Sequence, residues 1–578
     1  MHLRLLKKIT FVSFLFLTLC LAYNQIIKGP YYSQLSQNNR IKLARLPAPR
    51  GLIYDRCKRV VAGQRLMFNA ALLSQEIKDV QQSLEKISPI LNIPQEELLR
   101  RFRKNFSAPF IPVVVAADVP KETAILLECK ESDIPGLIIQ TEPLRDYRYG
   151  ASLCHILGYL GSMAEDELRK FKEYGLRTKD LIGKSGVEKE FDHYLRGEAG
   201  GMQVEVDNRG CKVRVLGKRA PRKGADLYLT IDAQLQEFID SLLEGKKGAC
   251  VVMDVQSGEI LSMVSEPGFD PNLFIAALNG KPAAERRIKE LLNSREAVLV
   301  NRAISGVYPP GSIFKIVVAA AGLETDGISP EARLECPGSF KVGRRRFFCW
   351  NLDGHGRQNL TEAIAYSCNV FFYKLGLALG PQKIASFARK FGLGNTTGVD
   401  LPYESTGLVP SRGWKLKTYK ERWYDGETAN FSIGQGYLLV TPLQMAQVIS
   451  AVANGGYLTR PHIVETGGQK SGGFRKRLAL EKETLEIIKE GMRRVIDDEQ
   501  GTGRQARISG VQWAAKTGTA QVSNRASHGW FGAFYPFDEP RFSVLVFLEY
   551  GGSGGGTPAM IAKKIIEYII EKDVGGRT

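Results

Sequence analysis

The chain has 578 residues, too many for a single hydrophobic core, so two or three domains are expected outside any membrane segment. Apolar residues make up 44% and charged residues 24% of the chain, which is ordinary for a globular protein. The net charge of +18 is not ordinary, and residues 1–59 carry eleven Lys or Arg against one acid. No RNA- or DNA-binding motif accompanies this charge, so an anionic membrane surface is favoured over nucleic acid as the partner of the basic end.

The first predicted element is a membrane anchor over residues 9–27. This stretch is uncharged and follows Arg4, Lys7 and Lys8, and its length is close to the ~20 residues that span a bilayer. No small-x-small cleavage site follows it, so an uncleaved signal anchor is favoured over a removable signal peptide. The adjacent cations predict a cytoplasmic tail of residues 1–8, a single pass through the inner (cytoplasmic) membrane, and the bulk of the chain outside.

Residues 28–225 form the predicted first extracytoplasmic domain. The pattern there mixes short strands with amphipathic helices, for example over residues 94–102, where acids stand at the helix start. We find no catalytic constellation in this region. A basic linker bounded by glycines, residues 217–224, marks its end.

The second domain is predicted to run from residue 226 to residue 578. Its strands are expected at both ends of the sequence with helices between them, which favours the α+β class: an antiparallel sheet flanked by helices. The predicted elements are a strand at 226–231, a helix capped by Asp232 and ending at Leu243, two strands within 249–265, a strand at 541–549 and a helix at 558–571.

The strongest chemical signal in this domain is Pro-Pro-Gly-Ser312-Ile-Phe-Lys315, followed by an apolar run. The Pro-Pro-Gly turn predicts that Ser312 lies in the first turn of a helix, where free backbone N–H groups stabilise an alkoxide. Ser312 and Lys315 are three residues apart, so both side chains lie on one helix face. A neutral lysine can activate a serine nucleophile. Alone, Ser-x-x-Lys is equally a tetrapeptide of an ordinary amphipathic helix.

Two further motifs follow in order, Ser367-Cys-Asn369 and Lys516-Thr517-Gly518-Thr519. Ser-x-x-Lys, Ser-x-Asn and Lys-Thr-Gly, in this order, are the signature of serine penicillin-recognising enzymes. We therefore predict Ser312, Lys315, Ser367, Asn369 and Lys516 as catalytic residues, and the three residues after Lys516 as substrate-binding residues.

The cysteines leave two alternatives open. Cys336 and Cys349 flank a predicted hairpin and can form a disulfide across it. The rival is a zinc site of Cys336, Cys349 and His355, but only three ligands are evident and a structural zinc site uses four. The disulfide is therefore the favoured expectation. Cys368 is expected to pack inward, and a nucleophilic role for it stays open.

The chain resembles the class B penicillin-binding proteins of the elongation type over nearly its whole length. The residues that carry the resemblance, besides the three motifs, are 50–56, 183–189, 195–197, 434–436, 441–444, Gln521 and 528–531. The resemblance implies a membrane-anchored, serine-type D-Ala-D-Ala transpeptidase of peptidoglycan. It implies an elongated pedestal and dimerisation domain and a β-lactamase-like transpeptidase domain.

The resemblance also implies roles for the motif residues. Ser312 attacks the carbonyl between the last two D-alanines of a stem peptide, Lys315 takes the proton, and Ser367 relays it. Asn369 holds Lys315 and the substrate, while Lys516, Thr517 and Thr519 bind the terminal carboxylate. The oxyanion lies between the N–H groups of Ser312 and Thr519. The Glu-x-x-Leu-Asn pattern of class A β-lactamases is missing between Asn369 and Lys516, so rapid β-lactam hydrolysis is not expected.

The implied partners are stem peptides ending in D-Ala-D-Ala, β-lactams, a SEDS-type membrane glycan polymerase and scaffold proteins of the elongation complex. No cofactor and no nucleic acid are expected. The alternatives are a division-type class B transpeptidase, and a β-lactam-binding sensor or scaffold without cross-linking activity.

Overall fold

A computed structural model describes residues 2–163, 181–207, 209–465, 475–522 and 525–572. The last six residues of the predicted transpeptidase domain lie outside this part. The chain divides into two compact units. The first contains residues 1–51, 64–145 and 193–225, and the second contains residues 52–63, 146–192 and 226–578. The predicted domain boundary between residues 225 and 226 coincides with the border between two of these segments. Residues 52–63 and 146–192 precede that boundary and were predicted to belong to the first domain, but they belong to the second unit.

The amino-terminal segment is helical, as the apolar run predicted. An α-helix covers His2–Ala22, a π-helical turn covers Tyr23–Ile27, and a second helix covers Gly29–Arg40. Leu5–Ile27 is long and apolar enough to cross a membrane, and none of its most apolar window is buried in the protein. The chain therefore carries one amino-terminal helix suited to anchor it in a membrane.

The first unit mixes short strands and amphipathic helices, as predicted. The helix Gln95–Asn105 begins with Glu96 and Glu97 and buries Leu98 and Phe102. A small antiparallel sheet has the strand order Ile41–Leu46, Gly200–Val206, Lys212–Arg219. The other elements of this unit are the helices Val80–Leu91 and Lys121–Cys129, the strands Val113–Val119 and Leu137–Tyr147, and part of the strand Val60–Leu72.

The second unit is built on a five-stranded antiparallel sheet. Its central strand, Phe542–Leu548, and the neighbouring strand Gly248–Asp254 read as nearly continuous apolar runs, and they are buried on both faces. The sheet confirms the α+β prediction. Its strand order is Ile260–Glu266, Gly248–Asp254, Phe542–Leu548, Arg525–Tyr535, Ala514–Val522.

Helices cover both faces of this sheet. On one face, Ala233–Leu243 and Thr557–Lys572 share a core with the sheet. The side chain of Asp232 accepts hydrogen bonds from the N–H groups of Gln234 (3.0 Å) and Leu235 (3.3 Å), so it is the predicted N-cap. On the other face, Pro442–Ala453 is buried along its whole length and packs on the sheet.

The remaining elements surround this core. The predicted strand at 226–231 contains only Leu227–Tyr228, which pairs in parallel with Ile53–Tyr54. The predicted hairpin near residue 340 consists of Ser339–Val342 and Arg345–Phe348. The other α-helices are Cys154–Leu157, Gly186–Glu190, Asp192–Leu195, Asn272–Leu278, Pro282–Asn293, Lys315–Glu324, Leu360–Ala365, Asn369–Lys390, Arg412–Tyr419, Asp425–Ser432 and Lys482–Asp497. The other strands are Leu160–Ser162, Leu181–Gly183, Leu334–Cys336, Gly356–Gln358, Tyr457–Thr459 and Arg475–Arg477.

Candidate active site

Ser312 lies in a tight turn that leads into a buried helix. Gly311–Phe314 forms a single 3₁₀ turn, and the α-helix Lys315–Glu324 follows it. Gly311 has φ +56°, and a Cβ there would lie 2.7 Å from the carbonyl oxygen of Thr519. The N–H of Gly311 donates to the carbonyl of Gly434 at 2.9 Å. Only glycine fits between these neighbours, and their close approach fixes the position of Ser312.

Lys315 is fully buried, and its amine has three acceptors. Lys315 Nζ donates to the carbonyl of Ser367 at 2.7 Å, to Ser367 Oγ at 3.3 Å and to Asn369 Oδ1 at 2.8 Å. Burial lowers the pKa of Lys315 to about 8. Among the described residues, no hydrogen bond joins Lys315 to Ser312, so the amine is oriented by the Ser-x-Asn motif.

Ser367 connects Lys315 to a second buried lysine. Its φ of +52° is in the left-handed region, which a serine occupies at a cost of about 1 kcal/mol or more. Lys516 Nζ donates to Ser367 Oγ at 2.8 Å and to the carbonyl of Thr517 at 3.0 Å. Burial, followed by repulsion from Lys315, lowers the pKa of Lys516 well below its ordinary value. Two buried amines thus converge on one hydroxyl, which can pass a proton between them.

These groups open onto a cavity of about 400 Å³. The structure places Ser312, Ser367 and Asn369 on its wall together with Thr517 and Thr519. Gly518 lies behind them, where a Cβ would be 3.0 Å from the carbonyl of Pro310. The other lining residues are Trp350, Ile433, Gln435, Thr502, Gln521, Ser527 and Ser553.

Several of these lining residues were not predicted as site residues. Thr502 Oγ1 and Thr517 Oγ1 are 2.7 Å apart and share a hydrogen bond. Gln435 stands between Gly434 and Gly436, so the Gly-x-Gly pattern was its only sequence signal. Thr502 is flanked by glycines in the same way. Two residues that line the cavity, Gln435 and Thr502, are thus polar residues flanked on both sides by glycine.

His528 and Trp530 support the site from the next strand, as core residues. Trp530 is fully buried, and its indole N–H donates to the carbonyl of Pro309 at 3.0 Å. His528 Nδ1 accepts from the N–H of Tyr550 at 3.0 Å. Trp530 therefore holds the Pro-Pro-Gly turn, and His528 holds the end of the sheet at Tyr550.

A second cluster of reactive side chains lies behind the Ser-x-Asn motif. The structure differs here from the expected disulfide, because Cys336 and Cys349 are both free. Their sulfurs are 3.6 Å and 3.5 Å from His355 Nδ1. Cys368 also points into the group, and the four ligand atoms all lie within 4.8 Å of one another. Three candidate ligands were predicted from the sequence, and the fold brings Cys368 to them as the fourth.

The environment of this cluster favours thiolates. Hydrogen bonds from the Cys368 thiol, and then from His355, lower the pKa of Cys349 and that of Cys336 below the usual thiol value. The same thiol hydrogen bonds raise the pKa of Cys368. Bonds of about 2.3 Å to sulfur and about 2.0 Å to nitrogen in a tetrahedral zinc site imply sulfur–nitrogen separations of about 3.5 Å. The observed separations fit this geometry.

Comparisons with known proteins find two family models and full-length relatives that match this chain. The family model described as "Penicillin binding protein transpeptidase domain" matches residues 248–567. The model described as "Penicillin-binding Protein dimerisation domain" matches residues 45–229. The peptidoglycan D,D-transpeptidase MrdA of Acinetobacter baumannii is 36% identical, over 95% of this chain and 84% of that protein. MrdA of Escherichia coli K12 is 31% identical, over 98% of this chain and 94% of that protein.

Solved structures show the same fold. Penicillin-binding protein 2 of Helicobacter pylori, in a complex with MreC, has a TM-score of 0.83 and 31% identity, over 92% of this chain and 99% of that one. A structure described as "Structural coordination of polymerization and crosslinking by a peptidoglycan synthase complex" has a TM-score of 0.75 and 29% identity, over 100% of this chain and 99% of that one.

The fold and the site thus define a penicillin-recognising protein with a serine, a lysine and a Lys-Thr-Gly strand around one cavity. The chain belongs to the penicillin-binding protein family, as a class B member of the elongation type, penicillin-binding protein 2.

Proposed function

We propose that this protein is a peptidoglycan D,D-transpeptidase that cross-links stem peptides during cell elongation through an acyl-enzyme on Ser312. The observation that carries the proposal is the hydrogen-bonded connection Lys315–Ser367–Lys516 beside the Ser312 cavity. The curated relatives named D,D-transpeptidase MrdA support the reaction and favour the elongation role over a division role.

The first half-reaction uses the two lysines differently. Two buried ammonium groups that share one hydroxyl repel each other, so the pair favours a single proton. A substrate carboxylate near Lys516, Thr517 and Thr519 places that proton on Lys516. Lys315 is then neutral, and it accepts the Ser312 proton as Oγ attacks the carbonyl between the two D-alanines. The C–N bond breaks, and the departing D-alanine nitrogen takes a proton through Ser367.

The second half-reaction transfers the acyl group to an amine. The acceptor nitrogen attacks the Ser312 ester, a new C–N bond forms, and the C–O bond to Ser312 Oγ breaks. The proton that the acceptor nitrogen loses reaches Ser312 Oγ through the same relay. Among the described residues that line the cavity there is no Asp or Glu that could activate water. Glu427, which is followed by Asn430 and so comes nearest to the missing Glu-x-x-Leu-Asn pattern, binds Lys415 Nζ and the N–H of Tyr424. Transfer is therefore favoured over hydrolysis.

Labelling with a fluorescent penicillin tests this proposal. We expect a long-lived adduct, and mass spectrometry of proteolytic peptides should locate it on Ser312. Ser312→Ala should abolish the adduct, and Lys315→Ala should reduce the acylation rate by at least about 10³-fold, as for removal of a nucleophile's base. An adduct on any other residue, or full labelling of Ser312→Ala, would contradict the mechanism.

We also propose the cellular setting. The helix Leu5–Ile27 anchors the chain in the cytoplasmic membrane with residues 1–8 inside and the rest outside, as the flanking cations favour. Residues 28–225 serve as a pedestal for the transpeptidase domain of residues 226–578. A scaffold protein similar to MreC and a SEDS-type glycan polymerase are the proposed partners, because related structures contain MreC or belong to a peptidoglycan synthase complex. A growth assay with Ser312→Ala separates catalysis from scaffolding.

We further propose that Cys336, Cys349, Cys368 and His355 hold a structural zinc ion. Three sulfurs and one imidazole nitrogen within 4.8 Å of one another match a closed Cys₃His site. Such an ion would fix the backbone at Cys368, between Ser367 and Asn369. It takes no part in the chemical steps.

A further inference from the structure

A hairpin next to the active site has an unusual charge. We call residues 337–348 the basic finger. Its strands pair Ser339 with Phe348 and Val342 with Arg345 across a two-residue turn, and Gly343 in this turn has φ +59°. The turn and its flanks carry four exposed cations and no acid: Lys341, Arg344, Arg345 and Arg346.

These charges oppose the stability of the hairpin itself. Lys341 and Arg346 are directly opposite each other in the register. Like charges at such a pair repel, and hairpins are normally stabilised by the opposite arrangement. Among the described residues, no carboxylate is within ion-pair distance of the three arginines. The arrangement is therefore suited to an anion that comes from outside the chain.

The basic finger is fixed to the catalytic site. The carbonyl of Phe348 accepts hydrogen bonds from Asn369 Nδ2 at 3.4 Å and from Tyr373 Oη at 3.3 Å. Asn369 is the residue whose Oδ1 accepts from Lys315. Trp350, two residues beyond the finger, lines the Ser312 cavity. The base of the finger therefore adjoins the wall of the Ser312 cavity, and its cations project from that wall without lining the cavity themselves.

From this geometry we infer that the basic finger binds carboxylates of the acceptor stem peptide. The inference rests on the proposed function and identifies which of the two stem peptides the finger binds. The donor carboxylate already has Lys516, Thr517 and Thr519 on the Lys-Thr-Gly strand. The acceptor brings its own carboxylates together with a neutral amine, and it needs cations that do not protonate that amine. Guanidinium groups meet this need, because they stay charged and bind carboxylates through two hydrogen bonds.

The chain offers a matched control. The strand Arg475–Arg477 is a second run of three exposed cations, Arg475, Lys476 and Arg477. Arg475 is already used, because it donates to Gln256 Oε1 at 3.0 Å and stacks on Tyr457. None of the three lines the Ser312 cavity. Replacing either triplet by glutamine removes the same charge from the protein.

The test compares R344Q/R345Q/R346Q with R475Q/K476Q/R477Q in the full-length protein. Each is acylated by a thioester donor, and the transfer product is measured against the concentration of a stem peptide that carries a free amine. The peptide is supplied with free carboxylates or with the same carboxylates amidated. For the wild type and the 475–477 variant, half-maximal transfer should require about tenfold less of the peptide with free carboxylates than of the amidated peptide. This preference should weaken as salt is added. The 344–346 variant should lose the preference.

Penicillin acylation of Ser312 and the thermal midpoint are measured on the same samples. In the 344–346 variant the acylation rate should be unchanged and the thermal midpoint should not fall, because the substitutions also remove the repulsion between Lys341 and Arg346. This result shows that the fold and the donor half-reaction are intact. A retained preference for the free acid would overturn the inference, and so would an equal loss in both triple variants. Loss of binding to anionic lipid vesicles with a retained peptide preference would assign the finger to the membrane and also overturn it. A wild type without a Ser312 adduct would instead refute the proposed function.

Discussion

Lys315 and Lys516 are both buried amines that share the hydroxyl of Ser367. The reactivity of Ser312 therefore depends on which of the two lysines carries a proton. Lys315 can act as a base only when it is neutral. Its pKa of about 8 means that most of it is protonated at pH 7 in the absence of substrate. The free site therefore reacts through the minority of molecules in which Lys315 is neutral. Alternatively, a bound substrate carboxylate draws the proton to Lys516 and leaves Lys315 neutral.

This gives a pH prediction. The acylation rate of Ser312 by penicillin should rise about tenfold per pH unit below pH 8 and level off above it, because the neutral fraction of Lys315 increases in that direction. Stopped-flow fluorescence between pH 6 and pH 9.5 measures the profile. Lys315→Arg is the matched control, because a guanidinium keeps the charge and does not deprotonate in this range. A wild-type profile without a pH-dependent limb would contradict the role of Lys315.

The sequence predicted which residues come together at the candidate site, because each motif is a short stretch whose chemistry is visible locally. Ser312, Ser367 and Asn369 line one cavity, and the two lysines meet behind it. The sequence did not predict the partnership of Thr502 with Thr517, which depends on packing of a separate loop. It also did not predict that Cys368 joins Cys336, Cys349 and His355, because four residues spread over positions 336–368 show no recognisable zinc-site spacing.

At the scale of single elements, the turn before Ser312 is held by a buried network. Tyr308 Oη donates to Glu549 Oε1 at 2.7 Å, and Arg302 Nε donates to the same oxygen at 2.8 Å. Burial, and then the Glu549 charge, raises the pKa of Tyr308, so it remains a donor throughout the physiological range. The network connects the Ser312 turn to the end of the central strand Phe542–Leu548.

Two substitutions should separate the parts of this network. Tyr308→Phe removes one hydrogen bond to a charged group and should lower the free energy of unfolding by about 2 kcal/mol. Glu549→Gln leaves the Arg302 guanidinium buried without its anion and should cost more, about 3–5 kcal/mol. Urea denaturation followed by circular dichroism measures both. If both variants lost the same free energy of unfolding, the Arg302–Glu549 ion pair would contribute no more to stability than the Tyr308 hydrogen bond.

The Cys-His cluster gives a prediction about metal. The purified protein should contain about one zinc per chain, measured by elemental analysis, and a strong chelator should lower the thermal midpoint. An ion at about 1,000 times its dissociation constant contributes about 4 kcal/mol. Cys368→Ser should lose the metal and also slow penicillin acylation, because it loosens Ser367 and Asn369. Cys129→Ser, at an exposed cysteine, is the control. Full zinc content in Cys368→Ser would refute the site.

Elements were predicted where local chemistry specifies them. The helix after Asp232, the strands within 249–265 and the final helix all lie where the pattern indicated. The strand predicted at 226–231 was too long. Leu229 and Ile231 are fully buried, but only Leu227 and Tyr228 find a strand partner, and Leu229 makes an isolated bridge to Val464. Leu229 and Ile231 are apolar because they are buried, and not because they pair in a sheet. An apolar pattern in the sequence indicates burial, but it does not show whether a partner strand is present.

At the scale of the whole molecule, the second unit is assembled from separate parts of the chain. Asp55, fully buried, binds Arg59, and Arg59 Nη2 also reaches Asp232 Oδ1 at 3.0 Å. These residues come from the amino-terminal third of the chain and the start of the catalytic region. A division at one point in the sequence could not predict such contacts, because they are long-range.

Residues 146–192 contribute apolar packing to the second unit. The ring of Tyr159 stacks on Phe274 at 3.8 Å, and it meets the edge of Phe269 at 5.9 Å. Cys154 is buried with Phe269 and Val298 in the same cluster. Removing the segment would expose these side chains, and each large apolar residue contributes about 1.5–3 kcal/mol when buried.

A fragment of residues 226–578 should therefore be less stable than a fragment of residues 28–578, although both contain every catalytic motif. Loss of about 4–5 kcal/mol of packing corresponds to a fall in the thermal midpoint on the order of 10 °C. Differential scanning fluorimetry measures the midpoints, and fluorescent penicillin reports whether Ser312 still reacts. We expect the shorter fragment to label more slowly as well, since Asp232 loses Arg59 and Asn301, upstream of Ser312, loses its hydrogen bond to the carbonyl of His155. Equal midpoints and equal labelling rates would show that residues 226–578 fold as an independent domain.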